Sequence, residues 1–204
     1  MLVGVIDIGL GNVNAVKRMV QKVGGEPVSI SNPAQLSSVT KFILPGVGNF
    51  NEGMRRLKLA NLDDAIRTAA LRQDTYVLGI CLGMQLMCRS SEEGEVDGLS
   101  IVNADVVKIV SNFAEKIKVP HMGWNTVDVP RENALMERNN EELRFYFVHS
   151  YKVIPDNDEV IIAKTNYGGQ FCSAFQKGNI FGVQFHPEKS HRFGLELISN
   201  FVRL

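Results

Sequence analysis

The chain has no surplus of either charge: 22 Lys and Arg stand against 22 Asp and Glu among its 204 residues. That balance excludes the broad basic footprint of a nucleic-acid or acidic-membrane binder, and a small neutral or zwitterionic substrate fits better. Cysteine is also scarce. The three present, Cys81, Cys88 and Cys172, are odd in number and at no metal-ligand spacing, so neither a disulfide framework nor a metal site is indicated. No apolar run is long enough to span a bilayer, and the opening Met1 to Asp7 has no basic leader and meets an acid too early for a secretion signal. A cytoplasmic protein away from membranes is expected. Low-complexity segments, repeats and interdomain linkers are missing too, and Pro155 to Glu159 reads as a polar turn, so residues 1–204 are expected to form a single domain.

What is present alternates. Leu2 to Ile6 reads as a buried strand, Asn12 to Val23 as a helix, Pro27 to Ile30 and Phe42 to Leu44 as further strands, with a loop at Pro45 to Gly48. Asn51 to Leu59 and Leu62 to Gln73 are helical, and Tyr76 to Leu78 is the next strand. Short apolar strands joined by helices predict a parallel sheet with its site at the strands' carboxyl ends. The second half is β-rich, at Ile101 to Val110, Arg144 to Val148, Val160 to Lys164, Phe171 to Gln176 and Ile180 to Phe185, before a closing helix from Arg192 to Val202. These strands read as antiparallel additions.

Two segments carry chemistry. In Gly79-Ile80-Cys81-Leu82-Gly83 a cysteine sits between glycines after an apolar strand and before a helix-compatible run, the pattern of a nucleophile elbow. The following helix start favours the thiolate. By itself the motif also reads as a buried cysteine in a glycine-rich turn. About a hundred residues on, His186-Pro187-Glu188 follows the run Ile180 to Phe185. Pro187 biases His186 to an extended backbone, so His186 and Glu188 project to the same side and can act as base and orienter for Cys81. A surface turn is the plain alternative for the second segment alone.

Gly79 to Gln85 together with Gly182 to Glu188 resembles the class I (triad) glutamine amidotransferases. Within that family, Lys118 to Asn125, Tyr146 to Tyr151 and Pro45 to Gly48 are similar to the glutaminase subunits of imidazole glycerol phosphate synthases, which make ammonia for histidine biosynthesis. The likeness runs from the first strand to the last helix. It implies a flavodoxin-like α/β fold with a central, mostly parallel sheet flanked by helices, glutamine as substrate, no cofactor, and a barrel-shaped cyclase or synthase subunit as partner. Ile8 departs from the Tyr common at that place in the branch, and Ser190 to Gly194 is reminiscent of a paralogous branch that supplies ammonia for amidino-sugar synthesis in surface polysaccharides.

Catalysis is assembled on that resemblance. His186 deprotonates Cys81, the thiolate attacks the side-chain amide, and water cleaves the resulting γ-glutamyl thioester while Glu188 stays ionised. The N–H of Leu82 is the natural first oxyanion donor, and Val47 or Gly48 N–H the candidate second. Gln85, one turn beyond Cys81, is expected to bind substrate together with Gly48, Ser150 and Tyr151. Trp124 and Lys189 are the expected partner surface, against a core anchor and a solvated charge. His149 reads as a hydrogen-bonded core histidine, His121 and His191 have no motif beside Cys81, and Cys88 and Cys172 read as packing residues. Three other readings stand beside this one. A dinucleotide loop at Asp7 to Asn12 lacks the third glycine, with Asn14 in its place. A catalytically silent interaction subunit would not need Cys81, His186 and Glu188. A peptidase or γ-glutamyl hydrolase shares the elbow, but Gln85 and Pro120 to Asn125 favour the amidotransferase.

Overall fold

The computed structural model describes residues 1–110, 117–137 and 142–204. Its first half alternates β1 (Leu2–Ile6), α1 (Val13–Lys22), β2 (Glu26–Ile30), α2 (Pro33–Leu36), β3 (Lys41–Gly46), α3 (Phe50–Leu59), α4 (Leu62–Ala70), β4 (Tyr76–Cys81) and α5 (Leu82–Leu86). A run of strands follows: β5 (Ser90–Ser91), β6 (Ala104–Lys108), β7 (His121–Val127), β8 (Leu143–His149), β9 (Tyr151–Pro155), β10 (Ile161–Asn166) and β11 (Gln170–Lys177). The chain then closes with β12 (Ile180–Val183) and α6 (His191–Arg203).

The main sheet runs β2-β1-β3-β4-β12-β11-β9-β6-β5, with β10 also paired to β11. From β2 through β12 every neighbour is parallel; β12 with β11, β11 with β9 and β9 with β6 are antiparallel. The second half is therefore not purely an antiparallel addition. Its last strand, β12, lies within the parallel part against β4, with Val183 beside Ile80. That insertion brings the segment carrying His186 next to the elbow.

The helices obey their local sequence. Val13, Val16, Met19 and Val20 form the buried stripe of α1, and Asn12 caps it through a bond from Ala15 N of 3.2 Å, worth about 1 kcal/mol. Helices α1 and α6 and the separate β7–β8 ribbon share one apolar layer, including Phe145, Phe147, Phe185, Leu197 and Phe201. Helices α3, α4 and α5 share the other, including Phe50, Met54, Leu57, Leu62 and Ile66. Each fully buried side chain of that size contributes roughly 1.5–3 kcal/mol, so the two layers hold the sheet between them.

Four elements are not legible from periodicity: α2, β5, β7 and β9. Strand β3 also extends through Pro45 and Gly46, which were expected in a loop, because both stay paired with β4 as far as Gly46 beside Cys81. The glycine-rich Asp7 to Asn12 stretch is a turn, with the Ile8 and Gly9 carbonyls accepting from Arg56 Nη1 at 3.0 and 3.1 Å. No described helix is long and apolar enough to cross a membrane.

Candidate active site

Cys81 ends β4 and begins α5 with φ 53° and ψ −109°, a strained conformation for a residue with a side chain. Glycines make the turn possible. A Cβ added to Gly83 would lie 1.8 Å from the Leu44 carbonyl oxygen, so only glycine lets α5 start so close to β3. Because α5 has only five residues, it carries little of the helix dipole expected to act on the sulfur.

His186 leaves β12 with an extended backbone, φ −103° and ψ 96°. Pro187–Lys189 then forms a 3-10 turn rather than the expected extended run, since proline starts such a turn readily. The turn still brings the pair together, and His186 Nδ1 lies 2.7 Å from Glu188 Oε1 with both side chains buried. His186 Nε2 has no hydrogen-bond partner among the described residues. Burial works to lower the pKa of His186, but interaction with Cys81 and Glu188 outweighs it and raises the group to about 10.

Strand β8 aligns the two halves. His186 N donates to the Tyr146 carbonyl at 2.9 Å, and Cys81 Sγ faces the Val148 carbonyl at 3.9 Å. Carbonyls two residues apart lie on one strand edge, about 6.7 Å from each other. Ser190 fastens the same edge: its hydroxyl accepts from Tyr146 N at 3.0 Å and donates to the His186 carbonyl at 2.6 Å.

A cavity of about 240 Å³ opens beside Cys81 and Leu82, lined also by Val47, Gly48, Gln85, Ser150 and Tyr151. It is smaller than the ~300–1,000 Å³ of drug-sized sites, suiting an amino acid rather than a nucleotide. Every residue expected at the oxyanion or substrate positions lines it. Gly48 has φ 120°, a backbone region that side chains resist. Gln85 donates both amide hydrogens, to the Tyr151 carbonyl at 3.3 Å and Gln184 Oε1 at 2.9 Å. Its Oε1 is left to meet a ligand. A larger recess of about 760 Å³ lies at the other end of the sheet, beside Gln73 and Asn179, away from Cys81 and His186.

Two residues at this place escape sequence reasoning. Glu93 lines the cavity and accepts from Phe50 N at 2.8 Å, and its only signal is the Glu92-Glu93 pair shortly after Gln85. Gln184 is fully buried, and the amide within an apolar strand run was its signal. His149 is a hydrogen-bonded core histidine, as expected, and His121 is its partner. Cys88 and Cys172 are buried; burial raises both thiols, Cys172 to about 12. Trp124 and Lys189 lie on one exposed patch joined by Tyr146: the Trp124 ring meets it edge-on at 6.3 Å, and Lys189 Nζ lies 5.5 Å from its centroid. His191 lies flat on Trp124 with centroids 5.5 Å apart. Among the described residues no three His, Cys, Asp or Glu side chains are grouped to hold a metal ion.

A doubly wound sheet carrying a cysteine elbow beside a buried His–Glu pair defines an α/β protein with side chains grouped for nucleophilic chemistry. The family model for glutamine amidotransferase class-I matches residues 4–204, and the chain belongs to that family. It is 46% identical over 202 residues to the imidazole glycerol phosphate synthase subunit HisH 2 of Methanococcus maripaludis, covering 99% of each chain. It is also 44% identical to the subunit HisH of Moorella thermoacetica, covering 99% of this chain and 94% of that one. Against HisH 2 of Pseudomonas aeruginosa the identity is 40%, with both chains fully covered. Among solved structures, PurLQS from Thermotoga maritima matches with a TM-score of 0.76 at 17% identity, covering 99% of this chain and 97% of that chain, a likeness of fold.

Proposed function

We propose that the chain is the glutaminase subunit of an imidazole glycerol phosphate synthase, releasing ammonia from glutamine for a separate barrel-shaped synthase subunit in histidine biosynthesis. Full-length identity to subunits of that name supports the pathway. The observation that carries the chemistry is the alignment of Cys81 and His186 on neighbouring carbonyls of β8, with Glu188 bonded to the imidazole.

His186, with its raised pKa, holds the proton taken from Cys81, leaving an imidazolium beside a thiolate. The thiolate attacks the carbonyl carbon of the glutamine side chain, and the carbonyl electrons move to oxygen, which the N–H groups of Leu82 and of Val47 or Gly48 receive. His186 gives its proton to the departing nitrogen, and ammonia leaves as the thioester forms. His186 then takes a proton from water, which attacks the thioester to release glutamate. Glu188 keeps the imidazole in one orientation throughout. Gln85 Oε1 and the Glu93 carboxylate suit the substrate's ammonium group, and Ser150 and Tyr151 its carboxylate end. Trp124 and Lys189 belong to the docking surface for the synthase subunit.

Partner and reaction are tested together by measuring glutamate release alone and with the synthase subunit bound to its phosphorylated ribonucleotide. Strong stimulation is expected, because a flip of the peptide preceding Gly48 supplies or withdraws one oxyanion donor, worth roughly 3 kcal/mol. Full activity of the isolated chain would defeat that switch. The alternative acceptor, an amidino-sugar precursor, rests on the likeness of Ser190 to Gly194 to the paralogous branch; His191 of that segment stacks on Trp124 at the docking patch. Stimulation by a sugar-aminating partner instead of the cyclase would select it.

A further inference from the structure

The amide of Gln184 has only one orientation open to it. Gln85 places its side-chain nitrogen 3.3 Å from the Tyr151 carbonyl, which can only accept. The same nitrogen is 2.9 Å from Gln184, so the Gln184 atom there is its oxygen, and the Gln184 nitrogen must face the other way. It faces Cys81: Gln184 Nε2 lies 3.7 Å from Sγ, within hydrogen-bonding reach of sulfur. Tyr151 is itself held, since its carbonyl also accepts from His149 Nδ1 at 2.7 Å and His149 Nε2 receives His121 Nδ1 at 2.9 Å. The backbone of Gln184 is pinned by its N–H to the Ser173 carbonyl at 2.9 Å.

We propose that Gln184 is a further catalytic residue, an aimed amide donor that stabilises the Cys81 thiolate before substrate arrives. The proposal rests on Cys81 being the nucleophile. A fully buried amide is placed where an unsatisfied N–H would be costly, so the hydrogen bond strengthens as the sulfur gains charge. When the thioester forms, the sulfur loses that charge and the bond weakens. Gln184 therefore favours the attacking state, whereas the oxyanion donors favour the tetrahedral one. The imidazolium of His186 supplies charge at the same sulfur; Gln184 supplies a neutral donor from β12, the strand that delivers His186.

The test is alkylation of Cys81 by iodoacetamide across pH, read by mass spectrometry of the Cys81 peptide, which needs no glutaminase turnover. The other titratable groups near the sulfur, His186 with Glu188, and Glu93, His149 and Tyr151 at the cavity, remain in the variants. In Gln184→Met, of similar length but without a donor, the alkylation midpoint should rise by about one pH unit. In the same variant kcat for glutamine should fall about tenfold with KM within about twofold, as loss of thiolate rather than of binding requires. A midpoint moved by less than about 0.3 pH unit in folded Gln184→Met overturns the proposal. If that variant does not fold, Gln85→Met, which leaves Gln184 in place but frees its amide to turn, should raise the midpoint by a smaller amount, and an unmoved midpoint there overturns it equally. Failure of the nucleophile assignment is separate, and appears as glutaminase turnover retained in Cys81→Ala.

Discussion

His121 Nδ1 and His149 Nε2 lie 2.9 Å apart in the interior, and the only consistent arrangement is two neutral rings passing hydrogen bonds in one direction. His149 must donate from Nδ1 to the Tyr151 carbonyl, so its Nε2 accepts from His121, whose own Nε2 accepts from Asn125 at 3.2 Å. Burial lowers His121 to about 4 and His149 to about 3. Both lie below the ordinary value near 6.5, so the unfolded chain binds protons that the native one refuses. Their contribution is complete above about pH 6.5 and is lost as pH falls toward 4 for His121 and toward 3 for His149, each group steepening the loss by up to about 1.4 kcal/mol per unit. Urea melts at pH 7, 6 and 5 should show this decline, a window above that of the paired carboxylates. His121→Phe, which keeps a ring stacked between Phe147 and Tyr167, should flatten it.

The strained backbone at Cys81 gives a second expectation. Cys81→Ala and Cys81→Gly should both lose glutamine hydrolysis and thioester formation while keeping the fold. The glycine variant should nevertheless be the more stable by about 1 kcal/mol, since glycine accepts φ 53° without a Cβ penalty. Thermal melts of the two decide it, and an equal or lower midpoint for Cys81→Gly would show that the elbow stores no strain.

Gly83→Ala should fail differently. Its Cβ would collide with the Leu44 carbonyl oxygen, which is backbone in a central strand and cannot swing aside. Destabilisation of more than about 2 kcal/mol is expected, with β3 and α5 pushed apart and the cavity misshapen. A variant melting like the parent chain would contradict the close approach.

Glu188→Gln should damage kcat less than His186→Ala, because the base survives without its orienting charge. It should also lower the pKa of His186, part of whose upward shift comes from Glu188. Measured kcat against pH would then show its alkaline limb moved to lower pH relative to the parent. Equal or larger losses from Glu188→Gln would contradict this division of labour.

Much of the scaffold is legible because its strands are short, apolar and bounded by turns, and the elbow and the His-Pro-Glu segment announce their residue types directly. What escapes depends on partners remote in sequence. Strand β7 contains Gly123, Asn125 and three residues exposed to solvent, Met122, Trp124 and Thr126, and is a strand only because β8 pairs with all of it. Strand β9 follows β8 after Ser150 alone, so a change of sheet hides inside what reads as the end of one motif. Glu93 and Gln184 are missed for the same reason: nothing local tells that α3 and β4 will bring a cavity and a sulfur to them.

Val148 and Tyr146 have one more implication. The proposed nucleophile and base come from parallel strands whose separation drifts with the twist of the sheet, yet both are referenced to a third strand outside that sheet. Their spacing is thereby gauged by the repeat of a single polypeptide, a ruler of two residues that stretches little. Substitutions that bow or shear the large sheet can accumulate over evolution without detuning the chemistry, whereas one residue inserted between positions 146 and 148 would turn a carbonyl to the wrong edge and put the two groups out of step.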